Sequence, residues 1–171
     1  HHDFHILRAA TFSSAVELLA LDAKNRWQDI INCREVLEEN RNFVGREWLK
    51  NRVQRFQSDL QRKVRYFLIT GEPGVGKTAF VADCLRSDPS AVYHFVRKGR
   101  WDEPDAFFRS LTAQLRRKHG LLQTEEEKKL VEREKYCDEF YCVLERTSRK
   151  LDGKREVLWL DGLDEAYGPT G

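Results

Sequence analysis

The stretch that most constrains this chain is "RYFLITGEPGVGKTAF", residues 65–80, where an aromatic and aliphatic run ends in three glycines, a lysine and a threonine. A continuous apolar run bounded by Gly71 predicts a strand buried on both faces, as occurs in parallel sheets covered by helices. Residues from about Lys77 to Arg86 predict the covering helix, stopped by "SDPS". Two more runs, "AVYHFV" and "REVLWLDG", predict strands over about residues 91–96 and 156–160. Between them, "DEPDAFFRSLTAQLRRKHG" reads as a helix with Pro104 in its first turn and Gly120 at its end. "EEEKKLVEREKYCDEFYCVLERTSRKL" reads as one long charged helix with a stripe of Leu130, Cys137, Phe140, Leu144 and Leu151. Strand and helix alternate, which gives the class α/β with a mainly parallel sheet.

An α-helical segment precedes this unit. Ser14 and Glu17 have capping-box spacing, and the apolar residues that follow predict one long amphipathic helix over 15–39. A turn around Gly45 leads to a shorter helix whose Leu49, Val53, Phe56 and Leu60 share a face. Arg46, Lys50, Arg52 and Arg55 line its flanks and outer face. A solvated helix surface is the favoured reading for them over contact with phosphate or nucleic acid.

Composition narrows the function classes. Thirty Lys and Arg against 28 Asp and Glu leave a formal charge of +2, so no global excess directs the chain to nucleic acid or to an anionic membrane. No apolar run approaches the roughly 20 residues needed to span a bilayer, and a cytoplasmic location is expected. Cys33, Cys84, Cys137 and Cys142 show no paired CxxC spacing, which predicts reduced thiols rather than a zinc ribbon or redox pair. The lack of methionine and the opening His1 and His2 read as a piece of a longer polypeptide with residues left from a tag.

Gly71, Gly76, Lys77 and Thr78 satisfy G-x-x-x-x-G-K-[ST], the phosphate-binding P-loop pattern. Average residue frequencies produce it by chance in roughly half a per cent of chains this long, and a mere turn does not require a strand before it and a helix after it. Glycines let successive N–H groups face an anion, and the following helix adds its positive N-terminal dipole. Gly71, Gly74, Val75, Gly76, Lys77 and Thr78 are therefore the predicted ligand-binding run for ATP or another NTP. Lys77 is expected at the β- and γ-phosphates and Thr78 on Mg²⁺. Asp161, at the carboxyl end of an apolar run, is the second predicted metal residue, directly or through water. Asp164 and Glu165 follow it, and either can polarise a water for attack on the γ-phosphate, with Glu165 preferred. An acidic loop capping the next helix is the structural alternative.

"FVGREW", "GEPGVGKTAF" and "LWLDGLDEA", in which Gly162 follows Asp161, resemble the NACHT group of STAND-type P-loop NTPases. "VYHFVRKGRWDEPDAFFRSLTAQL" is similar to bacterial members. The resemblance covers about residues 42–171 and implies a three-layer αβα P-loop NTPase fold that is C-terminally incomplete in this chain. Residues 1–41 would then be a connector from an effector, and residues 42–171 the N-terminal part of the module, from the P-loop through the strand that carries Asp161. It also implies a sheet in which a later strand lies between the first and the third. It places Val44, Gly45 and Arg46 near base and ribose, and it implies Mg²⁺-dependent ATP hydrolysis in the full-length protein. Family members are ATP-dependent switches that oligomerise on sensing a trigger, in immunity-like signalling. Two other readings stand beside this one: an initiator- or loader-type ATPase acting on nucleic acid, and a scaffold that binds nucleotide without turnover.

Overall fold

The computed structural model describes residues 34–59, 61, 66–99 and 101–164. Ser14, Glu17 and most of the expected helix over 15–39 lie outside them. Its last turn and a half is present as α1, Arg34–Glu39. A bend brings the chain to α2, Glu47–Ser58, whose Leu49 and Val53 are buried on the expected face. The glycine loop leads to α3, Lys77–Ser87, and then β1, Val92–Phe95. The remaining elements are α4 (Pro104–His119), α5 (Glu125–Glu132), α6 (Tyr136–Leu151) and β2 (Leu158–Asp161).

β1 and β2 pair in parallel, with Val92 opposite Leu158 and Phe95 opposite Asp161. Side chains alternate along both strands, as the pleat requires. Val92 and Leu158 join a core with Leu111, Leu115, Leu121, Phe140 and Val143, under α4 and α6. Phe95, Tyr93 and Trp159 face a second core of Val36, Leu49, Val53, Phe80, Val81 and Leu85, under α1, α2 and α3. The outer edge of β1 is closed by a side chain. The Gln114 amide donates to the Tyr93 carbonyl at 2.8 Å and accepts from the Tyr93 N–H at 3.0 Å, taking the place of a further strand. Together with the helices, this small parallel sheet is an α/β arrangement. Among the described residues, two of the three expected strands are formed.

The third expectation needs correction. Residues 66–70 have no regular secondary structure, and among the described residues nothing pairs with them as a strand. They are not buried on both faces: Phe67 and Ile69 pack on the second core, while Tyr66 and Leu68 are 86% and 81% exposed. Burial on both faces requires partners on both, and among the described residues this segment has packing on one. The long charged helix is also two helices. Glu134 adopts the left-handed region at φ 57°, and the Lys135 N–H returns to the Leu130 carbonyl at 2.9 Å, which ends α5.

The break turns Glu127 of α5 and Glu139 of α6 toward the same arginine. A single straight helix would have kept Leu130, Cys137 and Leu144 as the buried stripe. The most buried positions of α6 are instead Val143 and Thr147. The start of α5 is fixed by a capping box: Thr124 Oγ1 accepts from the Glu127 N–H, and the Glu127 carboxylate accepts from the Thr124 N–H. No helix among the described residues is long and apolar enough to cross a membrane.

Candidate functional site

The glycine loop runs through exposed turns from Gly71 to Gly76 and enters α3 at Lys77. Gly74 at φ 80° and Gly76 at φ 87°, on either side of Val75, both adopt the left-handed region, which a side chain rarely tolerates. Gly76 is the N-cap of α3, so the first N–H groups of that helix lie at the end of the loop, where its dipole is positive. Lys77 Nζ donates to the carbonyls of Gly71 at 2.8 Å and Glu72 at 3.1 Å, so its ammonium spans the mouth of the loop.

Asp161 is the last residue of β2, which carries its half-buried carboxylate to the start of α3. There the Thr78 hydroxyl donates to Asp161 Oδ2 at 2.8 Å, across 83 residues of sequence. The geometry is held from behind. Val96 N–H donates to the Asp161 carbonyl at 2.8 Å, and Gly162 lies at φ 74° against the Val96 carbonyl oxygen. A Cβ on Gly162 would come within 2.4 Å of that oxygen, so the small residue after Asp161 is a steric requirement.

Thr78 and Asp161 together offer two hard oxygens, a set that suits Mg²⁺ with its remaining positions filled by water and phosphate. Among the described residues no group of three His, Cys, Asp or Glu side chains forms a self-contained metal site. Asp164 is exposed just past β2, and Glu165 lies outside the described residues. Val44 is 86% exposed, and Gly45 and Arg46 sit in left-handed conformations at the start of α2. Arg46 reaches the loop itself, since its Nη2 donates to the Val75 carbonyl oxygen.

The basic residues of α2 are thus not all solvated surface. Lys50 Nζ lies 2.6 Å from Asp83 Oδ2 on α3, and Arg86 Nη2 lies 2.8 Å from Asp83 Oδ1. Burial works against the Asp83 carboxylate, but Lys50 and Arg86 outweigh it and hold its pKa below the ordinary value. Arg86 also donates to the Leu37 and Asn40 carbonyls at the end of α1, at 3.3 and 3.0 Å, satisfying groups a helix end leaves open. Phe43 meets Phe80 edge-on at a centroid distance of 6.4 Å. Sequence reasoning missed this clamp. Its one legible signal was the Asp83 and Arg86 pair at helical spacing. Burial pushes the Cys84 thiol beside it up to about 11, which suits packing and not reactivity.

The family description "AAA ATPase domain" matches residues 42–167, most of the chain. The chain belongs to the AAA ATPase domain family. No curated protein and no solved structure matches it. An AAA ATPase domain binds nucleotide, usually with Mg²⁺, and the loop, Lys77, Thr78 and Asp161 fit both groups.

Proposed function

We propose that this AAA ATPase domain binds ATP with Mg²⁺ and hydrolyses it slowly, as a STAND/NACHT-type switch that controls effector activation or oligomerisation in a defence-like response. The nucleotide reading is carried by one observation, the 2.8 Å contact that joins Thr78 of the glycine loop to Asp161 at the end of β2. The switch reading is supported by "FVGREW" ahead of the loop and "LWLDGLDEA" at the strand end. In this reading Gly74 to Thr78 bind the phosphates through backbone N–H groups, and Lys77 leaves the Gly71 and Glu72 carbonyls for phosphate oxygens. Thr78 and Asp161 hold Mg²⁺, which when bound supplies neutralisation of phosphate charge. Glu165 orients the attacking water, with Asp164 as its neighbour.

Two substitutions in the full-length protein test the assignment. Lys77→Ala removes a charge-assisted contact worth about 1.5–3 kcal/mol and weakens ATP·Mg binding about tenfold or more. Glu165→Gln keeps binding and slows phosphate release. Nucleotide titration and phosphate-release assays read both. Equal binding by Lys77→Ala and the parent sinks the phosphate role, and unchanged turnover in Glu165→Gln moves water orientation to Asp164. ATP-dependent assembly supports the switch; salt-sensitive DNA binding supports the initiator or loader reading instead.

A further inference from the structure

Arg46 occupies an uncommon backbone conformation for a residue with a side chain, φ 58° and ψ 33° at the N-cap of α2. Its carbonyl accepts from the Leu49 and Lys50 N–H groups at 2.9 and 3.1 Å and so opens the helix. Its guanidinium donates to the Val75 carbonyl, 29 residues later. Phe43 anchors the same stretch, with Cε2 lying 3.7 Å from where a Cβ on Gly76 would be. The segment before α2 therefore lies along the glycine loop, with Arg46 as its hydrogen-bonding tip.

The bond is made to one particular peptide group. No peptide among the described residues is cis, and in a trans peptide the carbonyl and the next N–H point in opposite directions. Holding the Val75 carbonyl therefore sets the direction of the Gly76 N–H, within the run of donors assigned to phosphate. That peptide plane turns through ψ of Val75 and φ of Gly76, and glycine leaves the second of these nearly unrestrained. Arg46 supplies the restraint the loop sequence lacks.

We infer that Arg46 is a positioning residue for phosphate binding, which fixes the Val75–Gly76 peptide plane from outside the loop and makes its contribution without touching base or ribose. The inference rests on the phosphate reading of the loop. Its consequence is that the contribution of Arg46 is the same for every ligand that carries the polyphosphate, with or without a nucleoside.

The test is calorimetric binding of Mg·ATP and Mg·tripolyphosphate to the parent, Arg46→Gly and Arg46→Lys, each at low and high salt. Glycine suits the left-handed backbone, so Arg46→Gly removes the hydrogen bond without adding strain, and circular dichroism checks its fold. Arg46→Lys retains a donor should the glycine variant fail to fold. Arg46→Gly is expected to weaken both ligands by the same factor, about three- to tenfold. The factor should survive high salt, because the bond is to a neutral carbonyl, and Arg46→Lys should recover most of the loss. In the ligand-free protein the Gly76 amide resonance should move in Arg46→Gly. A loss confined to ATP would put Arg46 on the nucleoside and overturn the inference. A factor that collapses at high salt would make it a direct ionic contact, and unchanged affinities would leave it no role; both overturn it too. A parent that binds neither ligand would remove the phosphate reading itself, and the inference with it.

Discussion

On one face of the sheet, α4, α5 and α6 close over Val92, Leu111, Leu115 and Val143, and the charges buried among them are matched by their own neighbours. On the other face, α3 begins in an open glycine loop, and the segment before that loop leaves Tyr66 and Leu68 in solvent. The closed side is joined by Arg116, whose Nη2 lies 2.7 Å from Glu139 and 3.1 Å from Glu127, while Arg146 adds a second contact to Glu127 at 2.8 Å. The two carboxylates respond in opposite ways. Burial raises the Glu139 pKa despite Arg116; at Glu127 burial is outweighed by the Thr124 N–H and the two arginines, and its pKa is lowered. On the open side Lys50 and Arg86 clamp Asp83 between α2 and α3, but at the glycine loop itself the polar groups are accessible backbone and single side chains. The difference separates tasks: buried charges with internal partners specify how three helices meet, and exposed donors with loose partners are free to exchange them for a ligand.

The comparison breaks most visibly at Arg116. Arg116→Ala strips Glu139 of its ion-pair partner and takes one of two from Glu127, and removing one member of a buried ionic group costs about 3–5 kcal/mol. Chemical denaturation should show that loss, while the fraction still folded binds Mg·ATP as the parent does. A change below about 1 kcal/mol would mean that water reaches the cluster and that the closed side is open as well.

A smaller effect is expected where the two sides meet. Gly162→Ala forces a Cβ toward the Val96 carbonyl and into a left-handed backbone, a strain of about 1–3 kcal/mol. Because the same turn aims Asp161 at Thr78, Mg²⁺-dependent nucleotide affinity should fall along with the melting temperature. A stability loss with affinity unchanged would separate the turn from the site.

The smallest effect sharpens the contrast. Leu68→Ser, in a run that reads as a buried strand, should alter stability by less than about 0.5 kcal/mol, as for an ordinary surface position. Ile69→Ser, at the next residue along the chain but packed on the core, serves as the sensitive control in the same denaturation series. A large loss at Leu68 would show that a neighbour covers this face.

Elements whose signals are local were legible. Pro104 and Gly120 bracket α4 because Pro tolerates a helix's first turn and Gly tolerates the left-handed C-cap, observed at φ 59°. The start of α5 at Glu125 was legible too, and the Thr124 and Glu127 capping-box spacing marks it; the end of that helix was not. The break at Glu134 had no glycine or proline to announce it. The left-handed turn at Glu134 is followed by the packing of Glu127 and Glu139 about an arginine from a third helix, a contact which no short window of sequence contains.

The candidate site divides in the same manner. Gly71, Gly76, Lys77 and Thr78 lie within one short stretch, and their chemistry depends on backbone turns and a helix start, so their spacing alone determined the phosphate-loop pattern. Asp161 was found by its place at a strand end; that it receives the Thr78 hydroxyl was decided by the pairing of β2 with β1 and its packing on α3. From the residues alone Arg46 and Lys50 read as surface charge, because a helix displays such residues outward by default, while the resemblance put Arg46 near base and ribose. Only the folding of α2 against α3 gave them the Val75 carbonyl and the Asp83 carboxylate as partners. A short-range pattern fixes what a residue's own backbone can do, whereas a long side chain's partner depends on which distant segment the core brings beside it.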